Sequence, residues 1–261
     1  MRNLFDITRY EIASEKIPAG FDRFKIAHIS DLHSHPKIGA AAEILRENPD
    51  MIAVTGDIMH DDGKYPEGAV RLINELTQCA PVYFITGNHD VWRHDRGEIF
   101  DELVRGGAIF LDNARAEIVR RGDKISVYGA CDPFSKLPRR ISENVRRAFS
   151  QLPQSGGFKI LLFHRANLFD EIKDYDYDLI LSGHMHGGQI RIPHLGGVLA
   201  PSSAIISGKR MLFPKYTAGR VDFDGKTMII NRGLSNTLPV PRFGNAPEIG
   251  IITLKSVNRD I

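Results

Sequence analysis

The chain has 261 residues, with 42% hydrophobic and 25% charged side chains, a net charge of +2 and two cysteines. That composition excludes a disordered chain, and Cys79 and Cys131 offer neither a zinc-ribbon spacing nor a disulfide framework, so they are expected as reduced thiols. The near balance of charge argues neither for nor against a nucleic acid, and no run approaches the roughly 18 apolar residues of a membrane-spanning helix.

In chain order, the opening stretch 1–16 has no apolar segment of the secretory kind, so a cytoplasmic chain is expected. The first expected strand is KIAHIS (25–30). The helical pattern AAAEILREN follows, then the strand MIAVTG (51–56), the helix EGAVRLINELTQC and the strand VYFITG (82–87). Further strands are expected at ISVYGA (125–130), KILLFH (159–164) and LILSGH (179–184). Between the first two of these lies ISENVRRAFSQL, whose Ile141, Val145, Phe149 and Leu152 share one helical face. Unbroken apolar runs of this length suit strands buried on both sides, and their alternation with helices implies a layered α/β fold. We expect a single domain over 1–261. The last third differs. AGRVDFDG and KTMIINRG read as a hairpin turning at Asp224-Gly225, and EIGIITLK as another strand. Together they are expected to form an antiparallel part completing a second sheet. The stretch 193–216 reads as a long loop beside the site.

Polar residues gather where the strands stop. The first gives Asp31 and His33, the second Asp57, and the third Asn88, His89 and Asp90. Two later ones give His164, and then His184 with His186. Open α/β sheets bind ligands outside the carboxyl ends of their strands. In extended backbone, residues i and i+2 point to one side, which would aim Asp31 with His33, and His184 with His186, at common points. Mixed nitrogen and oxygen donors suit Mn, Fe, Zn or Co, and their number exceeds one tetrahedral site, which suggests two cations. Two cations about 3.5–4 Å apart can clamp a phosphoryl group and ionise water.

D-x-H, G-D, G-N-H-D, H and G-H-x-H, in this order on strand ends, resemble the calcineurin-like metallophosphoesterases. The segments GHMHGGQIRIP, KYTAG, INRGLS and PVPRFGNAPEI are similar to those of the bacterial YkuE/YaeI-type phosphodiesterases. The resemblance implies a four-layer α-β-β-α sandwich of two mixed sheets. It implies one cation on Asp31, His33 and His186, a second on Asn88, His164 and His184, and Asp57 bridging them. Manganese is the first expectation, with Fe, Zn, Co or Ni as others. His89 would be the catalytic proton donor, oriented by Asp90. The implied reaction is hydrolysis of a phosphodiester or pyrophosphate by a hydroxide bridging the two metals. The substrate would be a small phosphorylated molecule, lipid-linked in some relatives, and no nucleic-acid partner is expected. Rival readings are a nucleotide or cyclic-nucleotide phosphoesterase and a non-catalytic scaffold. The second requires a damaged motif, whereas Asp31, Asp57, Asn88 and His89 are all present.

The chain departs from the family pattern in having His164-Arg165-Ala166 where H-N-P is usual, RGLS for RGLG, and no N-terminal hydrophobic anchor. Peripheral contact with the inner face of a membrane is a further expectation: 138–147 (PRRISENVRR) reads as a basic patch for anionic lipid or a phosphorylated substrate, or as the solvated face of a helix, and 210–216 (RMLFPKY) as a lipid-facing patch or as core packing of the loop. Arg232 and Arg242 are candidates for gripping a distal phosphate or for structural salt bridges, and Gln189 is a candidate for substrate contact. His28, His35, His60, His94 and His194 are expected as ordinary packing or surface residues, Asp61 and Asp62 as turn residues, and Cys131 as structural.

Overall fold

The apolar runs become strands because each strand has two apolar faces to cover. In the computed structural model, which describes residues 5–36, 38–135, 140–153, 155–199, 201, 212–235 and 241–257, the alternation along a strand is direct. Strand β3 (Met51–Val54) sends Met51 and Ala53 to one core and Ile52 and Val54 to another. Strand β8 (Lys159–Arg165) divides Ile160 and Leu162 from Leu161 and Phe163 in the same way.

Numbered in chain order, the first sheet holds β1 (Asp6–Ser14), β2 (Lys25–Ile29), β3, β4 (Val82–Phe84), β5 (Ile109–Phe110) and β14 (Glu248–Ser256), in the order β1-β14-β2-β3-β4-β5. The second holds β6 (Ala114–Arg120), β7 (Asp123–Ala130), β8, β9 (Leu179–Gly183), β12 (Gly219–Phe223) and β13 (Lys226–Ile230), in the order β12-β13-β9-β8-β7-β6. Both are mixed. Strands β2 to β5 run parallel, β14 is antiparallel to β2 and parallel to β1, and only the outer pairs β6–β7 and β12–β13 of the second sheet are antiparallel.

Between the sheets lies a core of Ile26, Met51 and Tyr83 from one side and Val127, Ile160, Leu162 and Leu181 from the other. The outer face of the first sheet is covered by α1 (Ala40–Glu47), α2 (Glu67–Thr77) and α4 (Arg96–Arg105), through Ile44, Ile73, Leu76, Phe100 and Leu103. A short helix α3 (Asn88–Trp92) follows β4. The second sheet is covered by α5 (Ile141–Gln151) and α6 (Phe169–Ile172), where Ile141, Val145 and Phe149 are buried as their spacing predicts. The layers are therefore α-β-β-α.

Three readings change. The hairpin does turn at Asp224-Gly225, but β13 lies parallel to β9. Strand β14 leaves that sheet and enters the other one, between β1 and β2. Strands β1 and β6 carry no continuous apolar run. They are sheet edges with one face toward solvent, and β6 alternates between half-buried and exposed residues along its length. The stretch 193–216 follows β10 (Arg191–Ile192) and folds back onto it through β11 (Gly196–Gly197) as a two-stranded ribbon, and it is tied on by a bridge between Leu199 and Leu212. Residues 200 and 202–211, including the first two of RMLFPKY, fall outside the described residues, as do Pro138 and Arg139 of PRRISENVRR.

Leu162 is fully buried between the sheets. We expect Leu162→Ala to lower unfolding stability by about 2–5 kcal/mol, read from urea denaturation, because the rigid two-sheet interior closes poorly over a lost isopropyl group.

Candidate metal centre

The parallel strands β2, β3, β4, β8 and β9 deliver their carboxyl ends to one place. Asp31, Asp57, Asn88, His164 and His184 follow or finish them, and all five are buried. The backbone there is not extended. Asp31, His33, Asp57, His184 and His186 have φ of 53°, 43°, 50°, 74° and 46°, the left-handed region that non-glycine residues avoid. The i and i+2 residues thus meet through tight turns after the strands, not through strand alternation. The turns are fastened to one another, since the Asp31 N–H donates to Gly56 O at 3.0 Å and the His33 N–H to Asp57 O at 2.9 Å. Two glycines leave room for the acids. A Cβ at Gly87 would collide with the Asp57 carboxylate, and one at Gly183 with Ser30 Oγ and the Asp31 carboxylate.

Among the described residues two fully buried groups of donors result, each with its ligand atoms within 4.8 Å of one another: Asp31, His33 and His186, and Asp57, His164 and His184; a half-open set of His33, Asp57 and His89 lies between them. In the first, Nε2 of His33 and Nε2 of His186 face each other at 3.2 Å, and Asp31 Oδ1 lies 3.4 Å from the latter. In the second, His164 Nε2 is 3.2 Å from His184 Nδ1 and 3.2 Å from Asp57 Oδ2. The same Asp57 oxygen is 3.8 Å from His33 Nε2, so it stands between the groups. Its other oxygen accepts the His89 N–H at 2.8 Å. His164 Nδ1 lies 2.7 Å from Thr55 O, to which it donates, and this leaves Nε2 as the nitrogen facing the centre.

Burial lowers His33 and His186 to about 3, against the opposing pull of Asp57 and Asp31, and it holds His184 well below its usual range. Burial thus favours the neutral form of these rings, which carries a lone pair. Burial acts on His164 in the same direction, but the adjacent Asp57 carboxylate overrides it and raises that ring to about 10. A proton on His164 is thus what balances Asp57 when no other cation does.

The donor set passes a direct test of fit. Both polar atoms of the Asn88 side chain are buried with no hydrogen-bond partner. A buried carboxamide with nothing to bond to is costly, and a cation at its oxygen removes the oxygen's share of that cost.

The other expected site residues divide. His89 reaches the same place, its ring 4.7 Å from that of His33 and 4.5 Å from that of Trp92. Asp90 does not orient it. The Asp90 carboxylate accepts the N–H groups of Gly87 (2.8 Å), Met59 (2.9 Å) and Ile58 (3.3 Å), and burial, with Asp57 adding to it, raises this acid to about 7. It staples the Asp57 and Asn88 loops together. The carboxylate beside His89 is Asp61, 3.4 Å from Nδ1, a residue read above as part of a turn. Arg232 follows the second of its two readings, the structural salt bridge. It pairs with Asp6 (3.1 Å) and Glu248 (3.2 Å) and has a structural role. Gln189 is buried in the turn after His186, its carbonyl accepting from Asn245 at 3.1 Å.

Arg242 stands at the centre. Its Nη2 donates to Ser235 O at 2.5 Å and approaches His186 Nδ1 at 3.3 Å, while its Nε and Nη1 are buried without a hydrogen-bond partner. Burial lowers this guanidinium to about 10. Arg165, where the family pattern has asparagine, is gripped bidentately by Asp132 at 2.6 and 3.0 Å. Asn245 was missed from sequence. Its amide holds the carbonyls of His186 (2.7 Å) and Gln189. Thr55 was missed as well, since it acts through a backbone carbonyl that any residue type could supply.

The sequence model of the calcineurin-like phosphoesterase family matches residues 24–188. The chain is 29% identical to the uncharacterized metallophosphoesterase YkuE of Bacillus subtilis, over 98% of this chain and 87% of that protein. It is 27% identical to the phosphodiesterase YaeI of Escherichia coli, over 96% of this chain and 88% of that one. Among solved structures, the phosphopantetheinyl hydrolase PptH of Mycobacterium tuberculosis superposes with a TM-score of 0.48 at 14% identity, covering 79% of this chain and 88% of that one.

Asp57→Asn should lower metal content in both groups together, by elemental analysis after dialysis, because Asp57 Oδ2 faces both. Two tightly held metals per chain in that variant would contradict a shared role.

Proposed function

Because this chain belongs to the calcineurin-like phosphoesterase family and is a dinuclear metal-dependent phosphoesterase, we propose that it hydrolyses a phosphodiester or pyrophosphate bond. We assign one cation to Asp31, His33 and His186, the other to Asn88, His164 and His184, and Asp57 to both. Manganese is the cation we favour. The observation that carries this reading is the Asp57 oxygen lying between His33 Nε2 and His164 Nε2. When bound, the cations supply Lewis acidity toward the phosphoryl oxygens and acidify water at neutral pH.

The chain's own residues do the rest. Thr55 O fixes the His164 tautomer, and the Asp90 staple keeps the Asp57 and Asn88 loops in register. Arg242 binds the phosphate. Its Nε and Nη1, buried without a hydrogen-bond partner, are the donors that would take a phosphoryl oxygen. His89, partly open to solvent and grouped with His33 and Asp57 at the edge of the centre, gives its proton to the leaving oxygen.

A lipid-linked substrate has support in one feature. Ile192, Leu195, Leu212, Phe213 and Phe243 are exposed. Ile192 and Leu195 are on the ribbon whose Val198 and Leu199 N–H groups donate to Gly188 O, two residues after His186, while Leu212 and Phe213 pair with Leu199 and Val198, and Phe243 pairs with Ile190 and Arg191. Exposed apolar groups gathered beside a site mark contact with an apolar partner. A nucleotide substrate has support in Trp92, which lies against His89 and 5.8 Å from the ring of Phe134. No helix among the described residues is long and apolar enough to cross a membrane.

Hydrolysis of bis-p-nitrophenyl phosphate with added manganese tests the reaction class, and an inactive chain with both cations bound would sink it. His89→Ala should keep both metals and lose about 10²–10⁴-fold in kcat. Arg242→Met should raise KM with the metal content unchanged.

A further inference from the structure

Outside the two donor groups, the loop after β3 brings a third cluster to the rim of the centre. Asp61 Oδ1 lies 2.7 Å from His60 Nδ1 and 3.4 Å from His89 Nδ1. The ligand atoms of the three residues fall within 4.8 Å of one another. The two imidazole rings meet edge-on at 81°, with centroids 5.8 Å apart. Both Nδ1 atoms are shielded from solvent, and neither makes a hydrogen bond of normal geometry. The Asp61 side chain is 41% exposed, so an ion can reach the cluster from solution.

We propose that His60, Asp61 and His89 form a third, inhibitory cation site selective for zinc, separate from the two sites of the reaction centre. Two imidazoles and one carboxylate, with a fourth position open to water, make a donor set that suits zinc. Manganese holds such nitrogen donors more weakly, in keeping with the general order of divalent affinities. Occupancy of this site engages the imidazole that the reaction requires. With Nδ1 on the cation and Asp61 drawn to the same ion, the His89 ring is fixed to the rim and withdrawn from the leaving oxygen. Zinc would therefore inhibit at free concentrations above those that fill the reaction centre.

The effect on rate rests on the proposed role of His89, but the binding does not, and the two are measured separately. The chain is dialysed against rising free zinc and its bound zinc is counted. A third equivalent is expected in the wild type, and two only in His60→Ala and in Asp61→Asn. A third equivalent that persists in both variants, or never forms in the wild type, would overturn the site. In parallel, hydrolysis is followed over the same zinc range, each protein relative to its own uninhibited rate. The wild type should lose at least tenfold as the third equivalent binds, and both variants should stay flat. Binding of the third zinc with an undiminished rate would overturn the inhibitory role and remove His89 as the proton donor, while leaving the cation site in place.

Discussion

Two carboxylates and four imidazoles are buried together with their acceptor atoms turned on one another, and this arrangement is tolerable only when positive charge is added. Asp31 and Asp57 are shielded from water, and the rings of His33, His184 and His186 are pushed toward the neutral form. One remedy lies within the protein, a proton retained on His164. The better remedy is two cations, and the orphaned Asn88 carboxamide oxygen is a further donor available to them. The remedies compete. Loading the centre displaces the His164 proton, so metal affinity weakens in acid.

The surrounding fold exists to hold this frustrated cluster. Five of its residues take left-handed backbone angles, each costing on the order of 1–3 kcal/mol. The cost is met by two sheets whose strands are apolar on both faces and by cross-links between turns: Asp31 to Gly56, His33 to Asp57, and Asp90 to three N–H groups. Asp90 shows how the division of labour can mislead. Its place beside His89 in the chain suggests a catalytic partner, but its acidity is raised and its oxygens serve the backbone.

The layers and the centre were legible in the sequence for different reasons. Strands buried on both faces write unbroken apolar runs, and their ends write abrupt changes to Asp, Asn and His, so β2, β3, β4, β8 and β9 and their polar tips could be read directly. Edge strands β1 and β6 write neither, because one side of each is wet. The destination of β14 was hidden because its sequence says only that it is a buried strand, and pairing is decided by which sheet has an open edge. Arg232 and Arg242 are alike in sequence context. Acids brought from β14 and β1 separate them, neutralising one and leaving the other beside the centre. Asp61 gave no signal beyond an acid shortly after Asp57, and its neighbour His89 arrives from another strand.

The insertion of β14 between β1 and β2 also bears on how the molecule is made. Strand β1 hydrogen-bonds in its sheet to β14, so at the ribosome it waits through more than two hundred residues of synthesis for its neighbour. Glu248, where β14 begins, meets the Gly233 loop, and that loop packs on Asp31. A nascent chain can therefore build most of its helices and inner strands early, yet it acquires a finished reaction centre only as the final strand slides into its slot.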